Sequence, residues 1–93
     1  MEQFEYDPRK SQANRDKHGI DFHEARALWQ DAGRIEVRAA TTDEPRYLVI
    51  EQVAGRFWTA VATRRGAVVR IISVRRSRKS EENLYESHNR QGI

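Results

Sequence analysis

The sequence predicts an α+β fold. It reads as one small domain with a mostly antiparallel sheet of four to five strands, two N-terminal helices packed on one face and a C-terminal helix near one end. Three observations lead there. The hydrophobic period switches between alternating and helical in the order β-α-α-β-β-β-β-α. The four consecutive strands are joined by connections short enough to make them antiparallel neighbours. The 93 residues, 38% apolar and 33% charged, allow one domain with a small core and a very polar surface.

Taken in order, Phe4-Glu5-Tyr6 alternates apolar and charged and reads as a short edge strand. Asp7-Pro8 starts a helix, because Asp accepts from free backbone N–H groups and Pro suits the first helical position. That helix runs to Lys17 or His18, with Ala13 its only apolar residue after Pro8, and stops at Gly19. Asp21 and Glu24 form a capping box for a second helix over Phe22–Gln30, whose Phe22, Ala25, Leu28 and Trp29 share the face that packs on the sheet. Arg34–Ala39 alternates as a half-buried strand, with Ile35, Val37 and Ala39 on one side. Ala40–Pro45 is a polar loop. Strands follow at Arg46–Val53, Phe57–Thr63 and Ala67–Val74, separated by turns at Ala54-Gly55 and Arg64-Arg65-Gly66. A last helix runs from Ser77 to about His88 and frays after it.

Composition narrows the function. The chain has no cysteine, so disulfides and thiolate metal sites are excluded. No apolar run approaches the roughly 20 residues of a membrane span, and the N-terminal MEQFEYDP lacks an apolar signal region. The expectation is a cytoplasmic protein with no membrane partner. The isoelectric point near 9.7 raises the weight of a nucleic-acid partner. The net charge of +3 hides an uneven distribution. Residues 56–80 carry eight basic and no acidic side chains, whereas 1–55 carry eight basic and eleven acidic, and 81–93 one basic and three acidic. An apolar strand, Val68–Val74, therefore ends in a cluster of Arg75, Arg76, Arg78 and Lys79, followed by Glu81 and Tyr85 four apart on one helical face.

Arg70 interrupts that strand. It must face solvent, a partner or an anion, because an unpaired buried charge is prohibitive. Strict alternation sends Arg70 and Arg75 to opposite faces unless a bulge re-aims one. Either each arginine pairs with a carboxylate such as Glu81, Glu82 or Glu51, or the arginines meet phosphate. The three histidines, His18, His23 and His88, lack the spacing of a helical metal site, and no Gly-x-Ser-x-Gly or Gly-rich phosphate loop occurs. Metal-free RNA cleavage needs cations for the developing charge, with proton transfer by groups such as Glu81, Tyr85 or His18. Aromatic rings such as Tyr47 or Trp58 can stack on splayed bases, or in the case of Trp58 fill the core. A nucleic-acid-binding module acting by occupancy, or a sheet face that binds a protein partner, would use the same residues.

Three ordered blocks carry a resemblance to a known family. The first is Phe4–Pro8 with Lys10, Asn14, Lys17-His18-Gly19-Ile20, Phe22, Glu24 and Ala25. The second is Arg46-Tyr47 and the strand leading to Gly55-Arg56. The third is Arg65-Gly66, Arg70–Ser73, Arg75-Arg76, Glu81 and Tyr85. Together they resemble BrnT, the toxin of the BrnT–BrnA type II toxin–antitoxin systems, with Tyr6 for the usual Trp, Val74 for Ala and Arg78 for Thr. The resemblance implies a fold similar to the RelE-type ribonucleases and a toxin that cleaves RNA, blocks translation and needs neither metal nor cofactor. It implies a BrnA antitoxin of ribbon-helix-helix type, which alone brings the complex to operator DNA. Carried over, Arg65, Arg70, Arg75, Glu81 and Tyr85 form the catalytic set. The arginines bind phosphate and stabilise charge, while Glu81 and Tyr85 transfer protons or position an arginine. Lys17, His18, Arg76 and Lys79 contact substrate.

Overall fold

The computed structural model describes residues 3–39 and 45–91. Five strands, β1 (Gln3–Glu5), β2 (Ile35–Ala39), β3 (Arg46–Val53), β4 (Arg56–Arg65) and β5 (Val68–Arg76), form one sheet in the order β1-β5-β4-β3-β2. Strands β2 to β5 make the expected antiparallel meander. The sheet as a whole is mixed, because β1 lies parallel to β5, Phe4 facing Val69. The loop over 40–44 and the last two residues lie outside the described residues.

Helix α1 (Pro8–His18) begins at Asp7, whose side chain accepts from the Arg9 N–H at 2.8 Å, and ends at Gly19 with φ 82°. It docks through polar rather than apolar side chains. Ala13 is exposed, and the buried positions are Ser11 and Asn14. Ser11 accepts from the Phe22 N–H at 2.9 Å. Asn14 donates to the Ile20 carbonyl at 2.8 Å and accepts from the Val74 N–H at 3.1 Å. Strand β1 ends opposite Arg70, so Asn14 supplies an acceptor that no strand provides at Val74.

The capping box at Asp21 and Glu24 is present in both halves. The helix it starts, α2 (Phe22–Ala25), is one turn long and continues as a 3₁₀ segment, Arg26–Gln30, rather than as one α-helix. The apolar face survives the change: Phe22, Ala25, Leu28 and Trp29 are all buried. With Ile20 they cover Val49, Ala60, Ala62, Val69, Ile71 and Val74, and Phe4, Tyr6, Tyr47 and Trp58 border this core. Tyr6 packs edge-on against Phe22 at 5.8 Å.

Strands β4 and β5 are longer than their sequence pattern suggests. Arg64 and Arg65 belong to β4 rather than to the turn, and β5 extends to Arg76. The β3–β4 hairpin closes through Ala54 and Gly55, φ 53° and 78°, a pair of left-handed residues that matches strand twist. Helix α3 (Lys79–Gln91) starts two residues later and runs further than expected. It lies against the sheet face that α1 and α2 leave uncovered, since its contacts are to Phe57, Thr59 and Arg75, which alternate with the core residues.

Candidate active site

Register decides which arginines share a face. Val61 faces Ser73 and Ala62 faces Ile71, so Ile72 is an extra residue in β5, a bulge. Beyond it Arg70 faces Thr63, and on the other side Arg75 faces Thr59. Thr59, Val61 and Thr63 alternate along β4 on the face opposite the core, so Arg70, Ser73 and Arg75 emerge together on that face. Arg65, at the end of β4, continues the same side, and Glu5 of β1 faces Arg70. The outcome is a row running from Arg65 and Arg70 to Arg75 on the face that carries α3.

At one end the row is clamped. Arg75 donates through both terminal nitrogens to Glu81, each at 2.8 Å, and the Glu81 side chain is 9% exposed. Glu81 also accepts from the Thr59 hydroxyl at 3.0 Å and from the Arg78 N–H at 2.7 Å. The last contact is half of a capping box, so α3 keeps a cap although Arg78 offers no side-chain oxygen. The Thr59 hydroxyl gives its single proton to Glu81, and Ser77 therefore donates to Thr59 at 2.7 Å. The Arg75 hydrogen bonds, helped by those of Arg78 and Thr59, outweigh burial and hold the Glu81 carboxyl down at about 2. Glu81 in turn raises Arg75 above the usual arginine range. A carboxylate this acidic, with its lone pairs occupied, positions an arginine and is a poor proton acceptor near neutrality.

Tyr85 lies one turn further along α3, on the same helical face, as its spacing predicts. It is buried, packs edge-on against Phe57 at 5.3 Å, and donates its hydroxyl to Asp31 at 2.8 Å. Burial and the Asp31 carboxylate push its pKa up to about 12. Asp31 also accepts from the N–H groups of Gly33 at 2.8 Å and Gln52 at 2.9 Å. Burial alone would raise the Asp31 carboxyl, but these donors, with the Arg34 charge, bring it below its ordinary value. Asn89 donates to the Gly33 carbonyl at 2.9 Å. A Cβ on Gly33 would sit 2.5 Å from the Asn89 side-chain oxygen and 2.8 Å from the Tyr85 hydroxyl, so close approach of α3 requires glycine here.

At the other end the row is loose. Arg70 and Arg65 share one Glu5 oxygen at 3.4 and 3.7 Å, with side chains 32% and 58% exposed. Glu5 itself is 40% exposed.

The remaining candidates lie elsewhere. Arg76 is on the core side of β5, its guanidinium over the Trp58 ring at 5.4 Å. Exposed Lys17 and half-buried His18 end α1. Lys79 is exposed at the start of α3, 4.0 Å from Glu82. Arg65, Arg70, Arg75 and Glu81 thus share one face of the sheet, Tyr85 follows Glu81 on α3 against Phe57, and Arg76 lies on the opposite side. Among the described residues no three His, Asp or Glu side chains group as metal ligands. Sequence reasoning missed Glu5, Thr59 and Asp31 as parts of this site. Glu5 was visible only as an alternating residue of a short strand, and Asp31 only as a residue ending a helix.

A buried basic clamp beside exposed arginines on a sheet face suits binding of a phosphodiester and its developing negative charge. The family model described as the ribonuclease toxin BrnT of type II toxin–antitoxin systems matches residues 6–81. The chain belongs to the BrnT family. The match covers most of the chain and ends at Glu81, so the Tyr85 and Asn89 contacts lie beyond the matched BrnT segment. No curated protein matches the chain. BrnT toxins are ribonucleases of systems that include an antitoxin, which gives this chain a toxin ribonuclease role and an antitoxin partner. No helix among the described residues is long and apolar enough to cross a membrane.

Proposed function

We propose that this chain is a metal-independent endoribonuclease that stops translation by cutting RNA on the face carrying Arg65, Arg70 and Arg75. The observation that carries this reading is the bulge at Ile72, which brings the arginines of β5 to one face. In the proposed reaction the RNA 2′-hydroxyl attacks the adjacent phosphorus and the bond to O5′ breaks, leaving a 2′,3′-cyclic phosphate and a 5′-hydroxyl. Arg65 and Arg70 hold the phosphate, and Arg75, locked by Glu81, stabilises charge on its oxygens. Glu5 is the carboxylate of the row that faces solvent, and it accepts the 2′-hydroxyl proton; solvent protonates O5′. Tyr85 and Asp31 hold α3, and with it Glu81, in place. Lys17, His18, Arg76 and Lys79 contribute at most outlying phosphate contacts. The protein acts in the cytoplasm. A BrnA antitoxin with a ribbon-helix-helix part neutralises the chain and connects it to operator DNA.

The test is cleavage of RNA by the purified chain in EDTA, beside Arg70→Ala and Glu5→Gln proteins checked for folding. Cleavage that survives EDTA, yields cyclic phosphate ends and falls in both variants is expected. Cleavage abolished by EDTA, or unchanged in both variants, refutes the mechanism. One observation favours a second reading, RNA binding by occupancy: both Glu81 and Tyr85 are consumed by internal contacts. Salt-sensitive RNA binding with no cleavage product would establish it.

A further inference from the structure

Strand β2 forms the outer edge of the sheet, and no described strand pairs with its far side. An unpaired edge is a template for another strand, and proteins commonly blunt it with like charges. Here the charges alternate in sign, Arg34, Glu36, Arg38, while Ile35, Val37 and Ala39 occupy the other face. Beside β2, on the α3 side, lies a groove of about 650 Å³ bordered by Ile35, Val37, Leu84 and His88. Val37 and Leu84, 36% and 51% exposed, are two of the three large apolar side chains exposed among the described residues.

We propose that two copies of this chain pair through β2, antiparallel and centred on Val37, to give a continuous ten-stranded sheet. The sequence is self-complementary in that register. Glu36 faces Arg38 of the second copy, and Arg38 faces its Glu36. Ile35 faces Ala39, and Val37 meets Val37. A two-fold axis thus satisfies both charge pairs on one face and both apolar sets on the other. The two Leu84 side chains flank the junction on the apolar side, so each copy's groove receives the other's strand residues. The basic row lies on β4 and β5, with β3 between it and β2, so pairing leaves it uncovered. The inference does not rest on the ribonuclease reading.

The contact is small, so the dimer is expected to be weak and concentration-dependent, forming at roughly 10–1,000 μM. Sedimentation velocity across that range tests it on the wild-type chain and on Glu36→Arg and Arg38→Glu proteins, with folding checked by circular dichroism. Each variant alone opposes like charges twice and is expected to remain monomeric. An equimolar mixture restores both pairs and is expected to sediment as a dimer. Glu36 also lies 3.7 Å from Arg64 within its own chain, so the Arg38→Glu protein and the mixture separate pairing from any local effect. A wild-type monomer at every concentration, a dimer indifferent to both substitutions, or a mixture that stays monomeric overturns the proposal.

Discussion

Arg70 and Arg75 leave the same face of the same strand, and their carboxylate partners differ in almost every respect. Arg75 meets Glu81 through two hydrogen bonds of 2.8 Å, with a hydroxyl and a backbone N–H filling the remaining acceptor sites. Arg70 reaches a single Glu5 oxygen at 3.4 Å that it shares with Arg65. The first pair is largely out of water, so it is strong once formed and costly to break from one side. The second is wet and contributes about 0–1 kcal/mol. One end of the row is therefore framework, and at the other end Arg70 meets its carboxylate in water.

Breaking the clamp has the largest expected effect. Glu81→Ala leaves Arg75 and Thr59 without their acceptor and should cost about 2–3 kcal/mol in chemical denaturation, allowing for Arg75's partial exposure. Losing the locked guanidinium should also lower the cleavage rate about 100-fold or more. The wild-type pH profile carries the same signature. Because the Glu81 carboxyl falls from 4.5 to about 2 in the fold, its contribution is complete above pH 4.5 and is lost as pH drops towards 2. Arg70→Ala should invert the pattern. Cleavage falls about 10–100-fold, while stability shifts by less than about 0.5 kcal/mol. Equal stability losses in the two variants would erase the distinction.

Gly33→Ala sharpens the comparison from a distance. The new methyl pushes against Tyr85 and Asn89, and we expect a loss of about 1–2 kcal/mol with faster amide exchange in α3. Cleavage should fall with it, because Glu81 moves with the helix, while RNA affinity at Arg70 holds. The smallest effect concerns a third carboxylate. Glu51 is fully buried, and neither carboxyl oxygen has a hydrogen-bond partner on another described residue. Burial first, then the Asp31 charge, raises it to about 9. It keeps its proton in the fold and loses it in the unfolded chain above pH 4.5, so stability declines as pH rises from 4.5 towards 9. Glu51→Gln should remove that slope and stabilise the protein at neutral pH by about 1 kcal/mol. The sign is opposite to that of Glu81→Ala.

Much of this architecture was legible in the sequence because it rests on local rules. Asp7-Pro8, the Asp21–Glu24 box and Gly19 act within a few residues, and all are found where the chain predicts them. The meander follows from short connections. What depends on distant partners was not legible. Helix α1 was expected to pack on the sheet with Ala13 as its only apolar residue after Pro8, whereas Ser11 and Asn14 dock it through hydrogen bonds whose acceptors and donors lie on other elements. The Arg75–Glu81 pair stood among several options because both residues lie near one junction. The tie from Tyr85 to Asp31 spans 54 positions and leaves no local pattern. The bulge was foreseen as a condition rather than a fact. Nothing in VVRIISVRR marks Ile72 as the residue that steps out of register, because that choice is made by the facing strand.

Strands β1 and β5 form the only parallel pair among the described strands, and the rest of the sheet lies between them in sequence. Glu5 and Arg70 are 65 positions apart. Every other strand can close a hairpin with a neighbour as soon as both have formed, whereas β1 must wait for almost the whole domain. During synthesis its three residues stay unpaired while the meander assembles, and the carboxylate that sits between Arg65 and Arg70 arrives last. Until β5 has been made, Glu5 has neither its facing residue Arg70 nor a strand to pair with, so this contact closes only after the meander exists.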